Sequence, residues 1–520
     1  MLKLIRVMRR LNMLSPRGAL RLAAAIWKYG VNLMALLSLA ARTYGDRIAV
    51  ADERETFSYR QLWRQSERLV LQFRQQYGLA RGKKIGVMCS NHTSLVKTIF
   101  AASCTGADIY LLNTGMGLER FNQLAKLHDF DLLVHDDELT PLVVQSAYVR
   151  TRLSSYSDDQ PSVKRLAQAS EHMTTIRSKR VTAGKIMLLT GGTTGRAKEV
   201  PHQPSLFHYL PPFLTLLSRL KLKERHTAYI ATPIYHGYGI AFLLLCTALG
   251  KKIILTSRFE AAKSCQWIDK HKADVVTVVP QMLLKMIKHD YDQLKSLVCI
   301  ASGGAELNPG LAEEVRSRLG DVLYNLYGTS EAGLCTVATP QDMRQHPLTI
   351  GRKIEGLELS IIDEGKKPAS VGKVGQMCIK HKRTLISRSH TWLETGDMGF
   401  RDEGGYFYWC GRVDDMIVSG GENVYPLELE RLLHSHPLIE DAAVIGIPDE
   451  WFGQRLKAVV QRVPNASLTE EELLAWLRSK AARYQIPKEV VFTDEIAYTS
   501  LGKRDKKRTA IEGTQGTPQS

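Results

Sequence analysis

The chain has 520 residues, 44% hydrophobic and 24% charged, which describes an ordinary soluble globular protein long enough for more than one domain. Its cysteines (Cys89, Cys104, Cys246, Cys265, Cys299, Cys335, Cys378, Cys410) are scattered with no C-x-x-C, which argues against a zinc site or disulfide framework and fits a reducing compartment. The formal charge of +17 fits nucleic acid, an anionic membrane or anionic small molecules; without zinc-finger spacing or an aromatic-basic RNA-binding signature, nucleic acid is the weakest of the three.

Much of the positive excess sits at the two ends, which favours a surface role for them. Residues 1–43 read as helical and basic. Leu4, Met8 and Leu11 recur at helical spacing, while Lys3, Arg6 and Arg10 share another face. Ser15-Pro16 is an N-cap and first-turn pair for a second helix, on which Arg17, Arg21 and Lys28 stand opposite Ala19, Leu22 and Ile26. Charges interrupt every apolar run before the ~20 residues a transmembrane helix needs. Early charges without a convincing cleavage site argue against a signal peptide. Such a segment could lie on an anionic membrane or pack against its own domain. From Phe57-Ser58-Tyr59 onward, helical stretches (66–76, 95–102) alternate with apolar strands (85–89, 109–112), which predicts βαβ units and parallel sheets. Residues 137–183 are polar and Ser-rich, expected as loops with a connecting helix.

The apolar strand Ile186-Met187-Leu188-Leu189 runs into Thr190-Gly191-Gly192-Thr193-Thr194-Gly195-Arg196-Ala197-Lys198. Glycines let the backbone turn its N–H groups inward, Thr193 and Thr194 add hydroxyls, and Lys198 adds a point charge. That ring of donors suits a polyphosphate; taken alone, it also suits a surface turn. It is not a Walker A loop, which needs Gly-Lys-Ser or Gly-Lys-Thr. Thr232-Pro233-Ile234-Tyr235-His236-Gly237-Tyr238-Gly239 sets a histidine between glycine-rich backbone and an apolar helix over 240–245, and it lacks the third glycine of a dinucleotide fingerprint. Residues 275–279 and 297–301 read as strands buried on both faces. The second ends in Ser302-Gly303-Gly304-Ala305-Glu306, by itself only a βα turn. Tyr324-Asn325-Leu326-Tyr327-Gly328-Thr329-Ser330-Glu331 follows the next strand, and later come Glu394-Thr395-Gly396-Asp397, Tyr406-Phe407-Tyr408-Trp409 and Gly411-Arg412-Val413-Asp414-Asp415. The remainder reads as a small α/β module. Ser419-Gly420-Gly421-Glu422 precedes a helix from Leu427, Thr469 to Glu472 forms a capping box for a helix to about Ala481, and Lys503 sits before Arg504, Lys506, Lys507 and Arg508. The polar residues 509–520 lack the apolar content to order themselves.

Together these motifs, in this order, resemble those of the adenylate-forming enzymes, the superfamily of acyl-CoA synthetases, luciferases and peptide-synthetase adenylation domains. The likeness runs from about residue 40 to 508. It implies an α/β fold in which a large N-terminal domain with parallel-rich sheets (44–413) binds ATP and a carboxylate. A small mobile C-terminal α/β lid (414–510) follows, with a basic amphipathic extension at 1–43 and a disordered tail at 511–520. The implied activity is that of an ATP-dependent acyl-CoA ligase working through an acyl-adenylate, with ATP, Mg²⁺ and coenzyme A. In that scheme Thr190, Gly191, Gly192, Thr193, Thr194, Gly195 and Lys198 hold phosphates. His236 stands beside the carboxylate substrate, where it can gate an apolar tunnel, and Gly303, Gly304 and Ala305 lie along adenine and the acyl group. Tyr327 and Gly328 face adenine, Thr329 offers a hydroxyl to phosphate, and Glu331 offers a hard oxygen to Mg²⁺. Asp397 suits the ribose diol and Arg412 a phosphate or ribose. Asp414 marks the hinge, Gly420 and Gly421 line a thiol tunnel after the lid turns, and Lys503 is the catalytic lysine.

The chain departs from the family pattern in four places. Gly82-Lys83 stands where an acidic residue commonly follows the glycine, and Arg196-Ala197-Lys198-Glu199 where Pro-Lys-Gly is usual. Only Val200 and Pro201 separate Glu199 from His202, and Ala497-Tyr498 replaces a common Pro-Arg. Tyr235-His236-Gly237 resembles acyl- and aryl-CoA ligases and lacks the Phe-Asp pair of amino-acid-activating domains; no carrier domain follows Ser520. Leu243, Leu244, Leu245, Phe213 and Leu214 are candidates for an apolar pocket. The expected substrate is a medium- or long-chain fatty acid. An aryl or other organic acid, a carrier-protein-loading enzyme and a non-catalytic acyl or nucleotide sensor are the alternatives. Expected partners are the acid, ATP and CoA, an anionic membrane through residues 1–38, and a second copy in a homo-oligomer; the expected location is cytoplasmic, peripheral on the inner membrane face.

Overall fold

Helix α1 (Pro16–Tyr29) begins at its proline, whose fixed φ and missing N–H suit a first helical turn. The structure, a computed structural model, describes residues 16–169, 181–190, 198–202, 206–329, 332–381, 392–419, 422–499, 504–505 and 508–509. Helix α2 (Leu33–Tyr44) is capped by Asn32, whose side chain accepts from the Ala35 N–H. Although it falls within the stretch expected to be an extension, it is a core element, with Met34 and Leu37 fully buried in the main hydrophobic cluster. The physical reason is composition: Arg42 is its one charged residue, so it has no polar face to give to water. Helix α3 (Tyr59–Gln75) starts well before residue 66 because Ser58 and Gln61 form a reciprocal capping box. Every residue of helix α4 (Thr93–Thr105) is buried, including Lys97, whose ammonium is held by Glu55 and Gln65 at 3.1 Å each. Burial lowers the Lys97 pKa and the Glu55 carboxylate opposes that shift.

One sheet has six strands. Thr151–Ser154, Leu132–His135, Lys84–Met88, Asp108–Leu111 and Ile186–Thr190 run parallel, and Lys198–His202 closes the edge antiparallel. Pro201 is tolerated there because an edge strand has a free N–H side. The strand Thr151–Ser154 corrects the reading of 137–183 as loops and helix alone. A thirteen-stranded sheet contains the parallel run Ile48–Ala51, Lys252–Ile254, Thr227–Ile230, Val275–Val278, Cys299–Gly303 and Leu323–Thr329. Past Thr329 it continues antiparallel through Gly333–Ala338, Thr349–Lys353, Phe407–Arg412, Leu393–Arg401, Gly375–His381 and Leu357–Ile362. Val275–Val278 and Cys299–Gly303 are buried along their whole length, as near-continuous apolar runs require.

The carboxy-terminal module has its own core around Leu429, Leu433, Val444, Leu456, Leu473 and Leu477. Its long antiparallel pair Ile439–Asp449 and Gly453–Arg462 carries Glu489–Thr493 in parallel. The helix Glu470–Arg478 has the expected Thr469/Glu472 capping box and stops short of Ala481. Among the described residues no helix is long and apolar enough to cross a membrane.

Candidate active site

Neighbouring parallel strands deliver three of the motifs to one edge of the large sheet. Thr227–Ile230 leads to the turn before His236, Cys299–Gly303 runs into Gly304 and Ala305, and Leu323–Thr329 carries Tyr327, Gly328 and Thr329. The carboxyl ends of adjacent parallel strands are where α/β sheets place ligand crevices. Gly328 tolerates no side chain, since a Cβ would lie 2.4 Å from the Gly333 carbonyl oxygen. In the six-stranded sheet, Thr190 and Lys198 are Cα partners at the end of the Ile186–Thr190 and Lys198–His202 pair. The two ends of the proposed phosphate loop are therefore brought together; Gly191, Gly192, Thr193, Thr194 and Gly195 lie outside the described residues. Leu188 on the same strand stands where a Cβ on Gly237 would meet it at 3.1 Å, so the phosphate-loop strand and the His236 turn are neighbours.

One constellation joins residues far apart in sequence. The Tyr327 hydroxyl donates to Asp397 Oδ2 at 2.6 Å. Trp409 Nε1 and Arg412 Nη1 both donate to Asp397 Oδ1 at 3.2 Å. Arg412 also reaches the Thr395 carbonyl at 3.0 Å and Asp414 at 3.5 Å. The two strands explain the meeting, because Asp397 and Arg412 are directly paired across Leu393–Arg401 and Phe407–Arg412. Burial and the adjacent Asp397 carboxylate push the Tyr327 hydroxyl far above its usual pKa. Burial works against the Arg412 charge, but Asp397, Asp414 and Asp415 hold its pKa above the ordinary value. Asp397 is thus a buried, multiply bonded carboxylate rather than a free surface acid. The Thr329 hydroxyl accepts from the Ala332 N–H at 3.1 Å; Glu331 lies outside the described residues.

His236 caps helix α5 (Gly237–Ala248) with its backbone, and its ring sits 4.5 Å from that of Tyr235. Gly239 is required by the close approach of this helix start to Pro233, whose carbonyl oxygen would lie 2.3 Å from a Cβ. The Tyr238 hydroxyl donates to the Ala301 carbonyl at 2.6 Å, tying the helix to the Cys299–Gly303 strand.

Four groupings were missed at the sequence level. Asn91, buried before α4, donates to the carbonyls of Ile230 and Thr232 at 3.2 and 2.9 Å and accepts from the Ile234 N–H at 2.8 Å. It clamps the backbone leading to His236, and nothing in its local sequence advertises that. Trp409 sits in an aromatic run that points to packing rather than to a carboxylate. Glu306, in the loop after Gly304, pairs with Arg431 of helix α6 (Pro426–His434) at 2.7 Å, and Arg431 also donates to the Trp409 carbonyl at 3.0 Å. Burial outweighs that guanidinium and raises the Glu306 pKa.

The fourth lies beside Lys503, which is itself outside the described residues, as are Gly420 and Gly421. Tyr498 and Arg504 form an antiparallel bridge. Arg504 donates to Glu430 at 3.0 Å and to Asp441 at 2.9 Å, His434 bonds Asp441 at 2.9 Å, and the Tyr498 hydroxyl bonds Asp441 as well. Arg504, directly after Lys503 in the sequence, supplies the guanidinium of this cluster. Burial raises the Asp441 pKa, but His434, Arg504 and Tyr498 outweigh it and hold the carboxyl well below the usual 3.8. A depressed carboxyl contributes stability that is present above 3.8 and lost as pH falls below it. Melting temperature measured from pH 6 to about 2 is expected to fall less steeply for Asp441→Asn than for the parent, which starts higher.

Cys89, His92 and Asp136 also converge, with potential ligand atoms within 4.8 Å. Their hydrogen bonds account for the grouping. His92 Nδ1 accepts the Leu95 N–H to cap α4, its Nε2 meets Asp136 at 2.6 Å, and Asp136 takes the Ser90 N–H at 2.8 Å. Burial raises the Cys89 thiol well above its usual pKa, which disfavours the thiolate a metal needs.

Known proteins resemble this chain in sequence and fold. The family model described as AMP-binding enzyme matches residues 37–386, and that of the AMP-binding enzyme C-terminal domain matches 428–503. The chain is 26% identical to a 2-succinylbenzoate–CoA ligase of Bacillus velezensis over 89% of this chain and 94% of the relative. It is 31% identical to a medium/long-chain-fatty-acid–CoA ligase of Mycobacterium tuberculosis over 63% of this chain and 61% of the relative. The fold matches that of the o-succinylbenzoate CoA synthetase of Bacillus subtilis, solved with its acyl-adenylate intermediate, with a TM-score of 0.79 at 23% identity, covering 91% of this chain and 97% of that one. The first family match alone spans more than half of the chain, and the second falls on the module with its own core: the protein belongs to the AMP-binding, adenylate-forming enzyme family, among its acyl-CoA ligases.

Proposed function

We propose that this protein activates a medium- or long-chain fatty acid with ATP and transfers it to coenzyme A, releasing AMP and pyrophosphate. The observation that carries the substrate class is helix α5. It starts at His236, has no charged side chain, and buries Ile240, Phe242, Leu243 and Leu245, with Phe213 of the preceding helix packed on the same core. An apolar monocarboxylic tail suits such a wall, whereas a second carboxylate would meet no cation on this helix. The similarity to a fatty-acid ligase supports the same class. A second reading, an aryl acid, draws on the Tyr235 and Tyr238 rings flanking His236 and on the 2-succinylbenzoate relatives.

In the first half-reaction a carboxylate oxygen bonds to the α-phosphorus of ATP as the bridging bond to the β-phosphate breaks, giving acyl-adenylate and pyrophosphate. In the second, the CoA sulfur bonds to the acyl carbon, the acyl–phosphate bond breaks, AMP leaves and the thiol proton passes to solvent. Charge grows on phosphate oxygens in the first step, where preorganised donors and cations act. We assign the 190–198 loop to the phosphates, Tyr327 to adenine, Asp397 to the ribose and Arg412 to ribose or phosphate. Glu331 would hold Mg²⁺, which supplies charge neutralisation on the phosphates when bound. The large domain, with helix α2 included, runs to 413 and residues 414–510 form the lid, turning about Asp414 so that Lys503 and the Gly420-Gly421 loop alternate at the site.

Pyrophosphate exchange over a panel of carboxylic acids, with and without CoA, tests this. Fatty acids should exchange best and form thioester only with CoA. Exchange confined to aryl acids would overturn the substrate class, and exchange without any CoA transfer would leave a carrier-loading enzyme.

The same reading makes Asn91 a positioning residue. Asn91→Leu keeps the volume but leaves the Ile234 N–H and two carbonyls without it. The KM for the acid is expected to rise about 10- to 100-fold while that for ATP holds, since a small misplacement near the reacting groups is enough. Equal changes in both constants would mark a general loss of fold instead.

A further inference from the structure

Helix α6 makes contacts in two directions from consecutive residues. Glu430 turns into the carboxy-terminal module, where it accepts from the Val444 N–H at 2.9 Å and from Arg504 at 3.0 Å. The helix is thereby fixed to the module's sheet and to the residue after Lys503. Arg431 turns outward to the large sheet. Its Nε donates to Glu306 Oε1 at 2.7 Å and its Nη2 to the Trp409 carbonyl at 3.0 Å. Both partners lie beside the candidate site: Glu306 directly follows the Gly303-Gly304-Ala305 turn, and Trp409 Nε1 bonds Asp397. The Arg431 and Glu306 side chains are only 27% and 21% exposed. A second ion pair, from Lys288 of the helix Pro280–Asp290 to Glu440, also joins the module to the large domain. With Lys288 53% exposed, that pair is screened by water and adds little.

We infer that Arg431 is a positioning residue, which seats the carboxy-terminal module for adenylate formation through Glu306 and the Trp409 carbonyl. The inference rests on the alternating lid proposed above and adds which contact holds one of its two orientations. Because Glu430 holds Arg504, a lid seated through Arg431 brings the backbone around Lys503 with it. The strands flanking Gly420 and Gly421, Ile417–Ser419 and Glu422–Val424, bond to each other and to Gly453 and Gln454 of the lid. The seating contact is thus made by the helix tied to Lys503, the group of the first step. A largely buried pair suits such a catch, because removing one partner strands the other charge. Burial raises the Glu306 carboxyl even with the guanidinium beside it. Once the lid turns, both groups reach water, so parting the whole pair costs less than losing one partner. The fork matters too: a guanidinium serves a carboxylate and a carbonyl at once, whereas an ammonium is a point charge.

The test measures the two half-reactions separately on the full chain, with the acid that exchanges best. Pyrophosphate exchange reads the first, and thioester formed from supplied acyl-adenylate and CoA reads the second. Arg431→Met keeps a long apolar stem and removes the charge. It should slow exchange about tenfold or more, in proportion to the fraction of lids left seated, while thioester formation holds or quickens. Arg431→Lys should fall between this variant and the parent. Glu306→Gln should slow the same half-reaction, and Glu306→Gln/Arg431→Met should lose no more than the worse single variant, since one contact is removed twice. A purely structural role would instead lower both half-reactions and the melting transition together. If the methionine variant does not fold, the lysine and glutamine variants decide the question. Exchange at the parent rate in Arg431→Met, equal loss of both steps, loss confined to thioester formation, or additive losses in the double variant would each overturn the proposal. Lys503→Ala and Gly421→Leu, run alongside, keep its failure apart from that of the lid. If those two split the half-reactions and Arg431→Met does not, only the catch is wrong. If they too lose both steps equally, the lid is wrong and the catch falls with it.

Discussion

Asp397→Ala is expected to lower ATP-dependent turnover by ~10²–10³-fold, or ~3–4 kcal/mol, the loss typical when one charged group at a reacting site is removed. The effect should be large because this one carboxylate organises three others: Tyr327, Trp409 and Arg412 all donate to it. Without it Arg412 keeps the Thr395 carbonyl and Asp414, so the protein should remain folded while the guanidinium shifts toward Asp414. Asp397→Asn should fall between the two, since it keeps the shape and loses the charge. Steady-state rates together with the melting transition separate these cases. Turnover near the parent value in the alanine variant would remove Asp397 from the site.

The second large effect concerns Lys503. Lys503→Ala should abolish acyl-adenylate formation from acid and ATP, yet still convert supplied acyl-adenylate and CoA to thioester. In the proposed scheme the lysine is asked to neutralise charge only while pyrophosphate departs, a barrier the adenylate has already passed. Gly421→Leu should show the reverse, because a side chain there obstructs the thiol without touching phosphate. The Arg504 clamp adds a discriminating case. Arg504→Ala keeps the lysine in the sequence but removes the cation that Glu430 and Asp441 share, which loosens the neighbouring backbone, so it should slow the first half-reaction and spare the second. Measuring both half-reactions for each variant decides the matter. Equal loss of both in every variant would rule out an alternating lid.

The sequence was most informative where chemistry and backbone demand coincide. The run from Ile186 into glycines and threonines, the buried strands before Ser302 and Tyr324, and the Thr469/Glu472 capping box are local patterns with local causes, and the structure has the corresponding strands and cap. Asp397 and Arg412 could each be picked out, but not their pairing, which depends on the register of two antiparallel strands. The antiparallel half of the large sheet went unread even though Leu357–Ile362 alternates buried and half-buried residues along its length. Asn91, Glu306 with Arg431, and Arg504 with Asp441 act across long sequence separations, so no window along the chain contains both partners. Of the two readings open for residues 1–43, helix α2 follows the packed one; its own composition already pointed inward.

The buried position of α2 decides where the folded unit begins. Similarity to the AMP-binding family starts at residue 37, inside the helix Leu33–Tyr44. A fragment started there would lose the Asn32 cap and the buried Leu33, Met34 and Ala35, keeping a stub too short to hold a helix unaided. Removing large side chains such as Leu33 and Met34 from a packed core costs ~2–5 kcal/mol each, a large share of a domain's stability. It would also sever Tyr29 from Glu67 and Trp63. Expression trials with a start chosen by homology should therefore yield aggregated protein, and those that keep Pro16 onward should yield soluble enzyme.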